Sequence, residues 1–505
     1  MGEPNDAPIR FDFNRSIEMS FTGGEITSDA GVLLLRRLDE ALGLTSSLAA
    51  SLHDPRDPEA ITHPLVELLR ERLYLLCLGY EDTIDARTMR HDPALKLAVR
   101  GPGAEAFRDP LGSQPTVSRL EHEILLPRDA CGNLTAEALR NLAVLEDAPL
   151  GWTERVLARH KPPARLTLDL DSSEDRAYGA QEGAAYNGYF GHVAFHPLFA
   201  HLGDGLGELV KVQLRPGNVY TSDGVVDFVR PLLPRLLAVT GALWVRGDSG
   251  FAVPDLFEHV EGLDARERRA TPEKRAFYVI KLKSNAVLQR LAEPHCRRGV
   301  GRPPNHPVRK YVELRYRADS WSRDRRVVLE VTFKPGELFP ETAFIATNLT
   351  EEEASGEEVF AFYRRRGDDS ENRIKEAKLD LKVDRTSCHS FESNRVRLAL
   401  TTLAYQIAHW TRTLGRSAVA ADEDDPADDG RGEPPSGAPS IGTLRLLVLK
   451  IGARLLLHAR RAYLLAASAC PAQALFRAIH ARLGVLADAT TASLARVPLS
   501  IPSTG

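Results

Sequence analysis

Residues 165–171 read Arg-Leu-Thr-Leu-Asp-Leu-Asp, and residues 243–250 read Leu-Trp-Val-Arg-Gly-Asp-Ser-Gly. In the first stretch, alternation sends Leu166, Leu168 and Leu170 to one face of a strand and Asp169 and Asp171 to the other. In the second, a tight Gly-Asp-Ser-Gly turn closes a strand and leaves Asp248 at its C-terminal end, where open α/β sheets commonly place their sites. A carboxylate on an otherwise apolar strand is costly to bury unless it is paired or holds a metal. These two stretches therefore suggest both a sheet and something for its acids to do.

Outward from them, Gly191–Ala200 and Glu208–Arg215 read as second and third strands. Val225–Val239 is apolar at helical spacing, although Pro231 and Pro234 crowd its middle. A helix is expected at Pro254–Val260, and Phe277–Lys283 is a fifth strand. Three strands, helix, strand, helix, strand is the order of an α/β ribonuclease-H-like catalytic domain, a mixed sheet flanked by helices. The closing helix is delayed. Tyr311–Arg317 and Val327–Phe333 alternate strictly, with Phe344–Thr347 a shorter run. Residues 285–350 are thus expected to form a β-rich basic insertion, and the closing helices to lie at Glu371–Lys382 and Ser390–Leu414.

The expected layout has six parts. A helical N-terminal domain (1–160, possible DNA-end binding) precedes the core (161–284), the insertion (285–350) and the closing helices (351–415). An acidic disordered linker (416–440) and a small C-terminal module (441–505) follow. In the N-terminal part, helices are expected to start at Asp29, at Thr62 with Pro64 in the first turn, and at Ser113. The last reads either as a groove-entering helix or as a capped scaffold helix.

Composition narrows the class. Hydrophobic residues make up 43% and charged residues 27% of the 505, as in ordinary globular proteins of several domains. No apolar run is long enough to span a membrane, and residues 1–15 carry no secretory signal. The five cysteines (Cys77, Cys131, Cys296, Cys388, Cys470) are scattered without a CxxC pair. Neither a disulfide framework nor a zinc site is expected, and a cytoplasmic location is. The net charge of −4 speaks against a nucleic-acid partner, but it is unevenly spread. Residues 421–434 carry a net −6, whereas 297–326 carry ten Arg or Lys against three acids. The latter reads either as a phosphate-binding surface or as a solvated basic face.

A third acid is sought on the closing helix. With Ile374, Ala377 and Leu381 marking its buried side, Glu371 borders that side and Glu376 falls roughly opposite Glu371. Asp171 (or Asp169), Asp248 and Glu371 converging on one sheet edge would repel one another without cations. Their hard oxygens suit two Mg²⁺ ions, or Mn²⁺ in their place, acting at phosphorus. The plainer reading makes Asp248 a turn former and Glu371 a cap partner.

At these residues the chain resembles the DDE transposases of bacterial insertion sequences, specifically the insertion-sequence 1380 family. The resemblance runs from about Gly23 to the C-terminal module. It rests on Leu168–Asp175 (LDLDSSED), Gly179-Ala-Gln-Glu-Gly with Tyr186–His192 (YNGYFGH), Leu214–Val219 (LRPGNV), Val245–Phe251 (VRGDSGF), Glu371–Asp380 (ENRIKEAKLD) and Asp384–Phe391 (DRTSCHSF), in that order. It implies metal-dependent strand cleavage and strand transfer at the element's ends, with Asp171, Asp248 and Glu371 as catalytic metal ligands and Asp169 as the lesser alternative. A Tyr-Arg-Glu-Lys signature of the wider group is matched by Tyr363, Arg366, Glu371 and Lys378. Four residues separate Arg366 from Glu371 where three are usual, and if the extra one lies within a helix, Arg366 would point away. The implied DNA contacts are Tyr363, Arg366, Lys375, Lys378, Arg323, Arg325 and Trp321, the last as an aromatic against a flipped base or, equally, as a cover for the insertion's sheet. The partners implied are double-stranded DNA carrying terminal inverted repeats, target DNA and a second copy on paired ends, at the nucleoid, with no membrane or small-molecule substrate. Alternatives are a ribonuclease-H-like nuclease or resolvase, a non-catalytic DNA-binding descendant, and a carboxylate-pair sugar hydrolase.

Overall fold

The computed structural model describes residues 8–101, 107, 109–158, 163–298, 305–419, 440–458 and 461–491, with the side chains of 15, 368–371, 415–419 and 486–491 outside the description. Most of the expected acidic linker, 420–439, is outside it too. The chain divides into two compact units, Met1–Asn141 with Ile407–Gly505, and Leu142–Gln406.

The first unit is mainly helical, with helices at Val32–Leu42, Leu44–Ser51, Leu65–Leu78, Pro93–Arg100 and Gln473–Thr491. The expected C-terminal module does not stand apart. Its strand Ala453–His458 pairs with Ile26–Thr27, and Lys450 lies 2.6 Å from the buried carboxylate of Asp29. Asp29 therefore balances a lysine, and the helix after it starts three residues later, at Val32, with Gly31 at its cap. Ser113 does stand at the N-cap position of a helix, Gln114–Arg119, with Pro115 in the first turn. The residue two after that helix, Glu121, is fully buried against Arg72 at 2.6 Å, as in a scaffold helix.

The second unit carries the acids. Its strands are β1 (Arg165–Ser172), β2 (Asp175–Arg176), β3 (Ala185–Asn187), β4 (His192–Phe195), β5 (Leu198–Leu202), β6 (Leu209–Gln213), β7 (Ala242–Gly247), β8 (Arg275–Leu282), β9 (Val308–Tyr316), β10 (Arg325–Phe333) and β11 (Glu341–Thr347). Its helices include α1 (Val225–Val229), α2 (Leu232–Ala238), α3 (Pro254–Ala270), α4 (Gly356–Leu381) and the start of α5 (Phe391–Val419). Pro231 and Pro234 fall at the start of α2 and within its first turn, so the apolar run 225–239 becomes two short helices.

Eight strands form one mixed sheet in the order β9-β10-β11-β8-β7-β1-β5-β6. β1, β7 and β8 are parallel, and the other neighbours are antiparallel. Two expectations change here. Strands β9–β11 are not a separate insertion, because β11 pairs with β8 from Val279↔Thr347 to Leu282↔Phe344 and the sheet continues outward. Left uncovered, β8 would present an open edge of unpaired backbone groups. The strand expected over 191–200 is also two strands. Pro197 lacks an N–H to continue a ladder, and the chain passes there from β4 in a small sheet (β2-β4-β3) to β5 in the large one.

Both faces of the large sheet are covered. Leu166, Leu168, Leu170, Val245, Tyr278 and Ile280 pack against Phe228, Leu233, Phe257 and Val260 of α1–α3. On the opposite face, Phe277, Val279, Val328 and Ile345 pack against Val359, Phe360 and Phe362 of α4. β10 is buried at every position for this reason, although its sequence alternates like a half-exposed strand. Since the leucines of β1 face α1–α3, Asp169 and Asp171 face the side of α4.

Candidate active site

Asp169 and Asp171 share a face and have different fates. Asp169 is wholly buried and meets Arg246 of β7 through two parallel bonds, Nε to Oδ1 at 2.6 Å and Nη2 to Oδ2 at 2.7 Å. The two residues are direct neighbours in the parallel register, so the pair ties β1 to β7. Both of its oxygens are engaged, which removes Asp169 from the candidate metal ligands. Beside it, His201 is buried and its imidazole is pushed down to about 3, by burial above all, so it adds no charge.

Asp171 and Asp248 each lie two residues past the registered pair Asp169↔Arg246, at the C-terminal ends of adjacent parallel strands. Asp171 is half-buried, and its Oδ1 accepts from the N–H of Ser172 at 2.8 Å. Asp248, also half-buried, caps a short turn of 3₁₀ helix by accepting from Gly250 N–H at 2.9 Å. Asp248 is thus a turn former that also stands at the end of its strand. Thr221 joins the two strand ends. Its hydroxyl is 3.2 Å from that of Ser172, and a Cβ on Gly250 would fall 2.8 Å from its methyl group.

Helix α4 crosses this face. It begins at Gly356, well before the expected Glu371, behind a capping box of Ser355 and Glu358. The extra residue between Arg366 and Glu371 therefore lies inside a helix, and yet Arg366 points inward. Its guanidinium is 3.0 Å from the Asp171 carboxylate and donates to the Leu170 carbonyl at 3.0 Å. Burial would lower its pKa, but the charges of Asp171, Tyr363, Asp169 and Asp248 hold it above the ordinary value. Tyr363, three residues earlier, has its phenol pushed up by burial, with Asp248 and Asp171 adding to that. One guanidinium and one phenol thus feel both acids.

Ile374, Ala377 and Leu381 are buried, as their spacing predicts. Glu376 lies 3.4 Å from Arg373. The backbone of Glu371 is helical, and its side chain is outside the described residues. Lys378 bonds to the Glu174 carbonyl and lies 3.3 Å from Asp175, while Lys375 is exposed. Asp175 is fully buried, which pushes its carboxyl up to about 7.

Most described basic residues of the β9–β10 region are exposed, among them Arg309, Lys310, Arg315 and Arg317, but Trp321, Arg325 and Arg326 are buried. Trp321 is 5% exposed and packs edge-on against Phe257 and Tyr316. Arg325, 3% exposed, lies over the Trp321 ring and bonds to Glu261 at 2.9 Å. Both therefore leave the set of DNA contacts. Arg323 remains exposed, with Glu261 as its partner at 2.6 Å.

A model of the family described as Transposase DDE domain group 1 matches residues 9–488. The chain belongs to this family. No curated protein matches it. Membership makes the chain a transposase, a DNA-binding enzyme of nuclease and transesterase type, whose kind generally uses divalent metal ions. The residues present in this transposase fit such ions, since hard carboxylate oxygens at two adjacent strand ends already attract the guanidinium of Arg366. Among the described residues no helix is long and apolar enough to cross a membrane.

Proposed function

We propose that this transposase, a member of the insertion-sequence 1380 family, cuts DNA at the ends of its element and joins the freed ends to target DNA, with Asp171, Asp248 and Glu371 as catalytic carboxylates. The observation that carries the proposal is the placement of Asp171 and Asp248 at matching levels of adjacent parallel strands, with Arg366 and Tyr363 set against both. The strand order β6-β5-β1-β7-β8, two antiparallel strands followed by three parallel ones, supports a ribonuclease-H-like core. Glu371 stands seven residues before Lys378 in α4, about 20° short of two full turns, which puts both positions on one flank. Lys378 reaches residues 174–175, just past Asp171.

Asp171, Asp248 and Glu371 would hold Mg²⁺, or Mn²⁺ in its place. When bound, the cations supply Lewis-acid activation at the phosphodiester. Arg366 neutralises charge growing on the phosphate oxygens and orients the group being cut. Tyr363 and Lys378 flank the same phosphates, and exposed Lys375 and Arg323 hold the backbone further out. A water attacks the phosphodiester at the element's end and displaces its 3′-oxygen, and the 3′-hydroxyl so freed attacks a target phosphodiester and displaces the target's own 3′-oxygen. Two copies pair the two ends, which carry the terminal inverted repeats.

The test is a joining assay. Labelled end DNA with a free 3′-hydroxyl, incubated with the transposase, Mg²⁺ and a supercoiled plasmid, is expected to become covalently attached to the plasmid. Cleavage without joining would identify a nuclease instead.

A further inference from the structure

Lys378 is placed at the phosphates in the reading above, yet its charge is already engaged within the protein. Its ammonium donates to the Glu174 carbonyl and lies 3.3 Å from Oδ1 of Asp175. Asp175 opens β2, opposite Phe195 of β4, and is 1% exposed. Among the described residues no well-aligned hydrogen bond reaches either of its oxygens, so Lys378 is the group that answers its charge. The neighbouring acids do not share that lysine's task. The Glu174 carboxylate faces His192 Nε2 at 3.0 Å, and Asp384, just past the end of α4, adds a further negative charge near Asp175.

The charges around Asp175 come from three sides. Lys378 on α4 favours the carboxylate, while Glu174 before β2 and Asp384 after α4 oppose it, and His192 on β4 offsets Glu174 only when protonated. Burial outweighs the lysine, so the carboxyl is pushed up to about 7 even with the ammonium beside it. An ammonium that leaves for a phosphate removes the largest influence favouring the charged form. A buried carboxylate without a counter-charge is costly, and the group neutralises itself by binding a proton instead.

We propose that Asp175 is the resting partner of Lys378, and that Lys378 passes from it to a DNA phosphate as the Asp175 carboxylate takes up a proton, which rests on the assignment of Lys378 to the phosphates at the cut. The proton comes from solvent and forms an O–H bond on Asp175. The ammonium keeps its own protons, and nothing is oxidised or reduced. DNA binding is thereby linked to pH. Below about 7 the Asp175 carboxyl is largely protonated already and gives up the lysine freely. Above that value carboxylate and phosphate compete for one cation, each bound DNA takes up as much as one proton, and affinity falls as pH rises. Asp175 is thus a positioning residue, since it acts on DNA only through Lys378.

The test is the affinity of the full chain for a short labelled duplex carrying the element's end, measured without divalent cations so that nothing is cut, as pH rises from about 7 to about 8.5. Over that range wild type is expected to lose up to about ten-fold more affinity than Asp175→Asn. Asp175→Asn carries no charge there at any pH, so at the upper pH it should bind more tightly than wild type, which loss of a merely structural contact would not produce. Lys378→Met should bind more weakly than wild type at the lower pH and share the shallow pH dependence of Asp175→Asn. Melting curves at both pH values show which variants are folded. A folded Asp175→Asn as pH-dependent as wild type would overturn the proposal, and so, without that variant, would a Lys378→Met that keeps the wild-type dependence. In both cases weakened binding by Lys378→Met would leave Lys378 at the phosphates. A Lys378→Met that binds as tightly as wild type would overturn the assignment of Lys378 itself, and the proposal with it.

Discussion

Arg366 and Asp171 are bound across 3.0 Å, from a helix to the end of a strand 195 residues earlier in the chain. The same guanidinium donates to the carbonyl of Leu170, so its position is fixed by backbone as well as by charge. A cation held in this way is placed to meet a phosphate the moment one arrives. Arg366→Gln is therefore expected to slow single-turnover cleavage by at least about 100-fold, the scale of losing one positioned charge-stabilising donor. The melting temperature should respond to Mn²⁺ as in the wild type. Cleavage within a few-fold of wild type would remove Arg366 from the mechanism.

Asp169 and Asp171 are two residues apart and predict opposite phenotypes. Asp169→Asn leaves buried Arg246 with Asp204 at 3.5 Å as its remaining carboxylate partner and should cost about 3 kcal/mol of stability. Asp171→Asn takes a partner from Arg366 but leaves it the field of Asp248 and its bond to the Leu170 carbonyl, and should cost less stability than Asp169→Asn while abolishing cleavage. Denaturant melts of the two variants, run beside cleavage assays, separate the roles. A stable Asp169→Asn that cannot cut would reverse them.

Trp321 is a core residue in this account. Trp321→Ala should lower stability by about 3–5 kcal/mol and leave the DNA affinity of the folded fraction intact. A variant of normal stability with weakened DNA binding would restore the flipped-base reading.

Glu71 supplies a pH signature in the helical unit. Burial pushes its carboxyl up to about 8 from an ordinary 4.5, against a backbone bond from Gly112 that opposes the shift. Between those values the folded chain keeps a proton that the unfolded chain has released. Stability should therefore fall as pH rises through that window, by at most about 1.4 kcal/mol per pH unit. Glu71→Gln has no such proton, and its melting temperature should drop less between pH 5 and pH 8 than that of wild type. Parallel curves for the two proteins would contradict the shift.

What could be read in the sequence was local, and what could not was a matter of partners. Alternation in 165–171 identified β1 and its two faces, because side-chain direction in a strand follows from the chain itself. It could not separate Asp169 from Asp171, since the residue that does so, Arg246, lies across the sheet. The strands β9, β10 and β11 were visible as strands, but their membership of the main sheet depends on the open edge of β8, which no pattern within 308–347 records. The early start of α4 is written in Ser355-Gly-Glu-Glu, a capping signature, whereas the apolar spacing after Glu371 marks only the helix's later part. The inward aim of Arg366 follows from that earlier start. With Phe362 and Arg366 on the buried side, the extra residue before Glu371 changes the angle between Arg366 and Glu371 without turning Arg366 outward.

The central claim is that Asp171 and Asp248 form one metal-dependent cutting site. Its most direct test is cleavage of end-bearing DNA in Mg²⁺ by wild type, Asp171→Asn and Asp248→Asn, each shown by its melting curve to be folded at the assay temperature. The account predicts cutting by wild type that stops when the cation is chelated, and none by either variant. Cation-dependent cutting that persists in Asp248→Asn would contradict it.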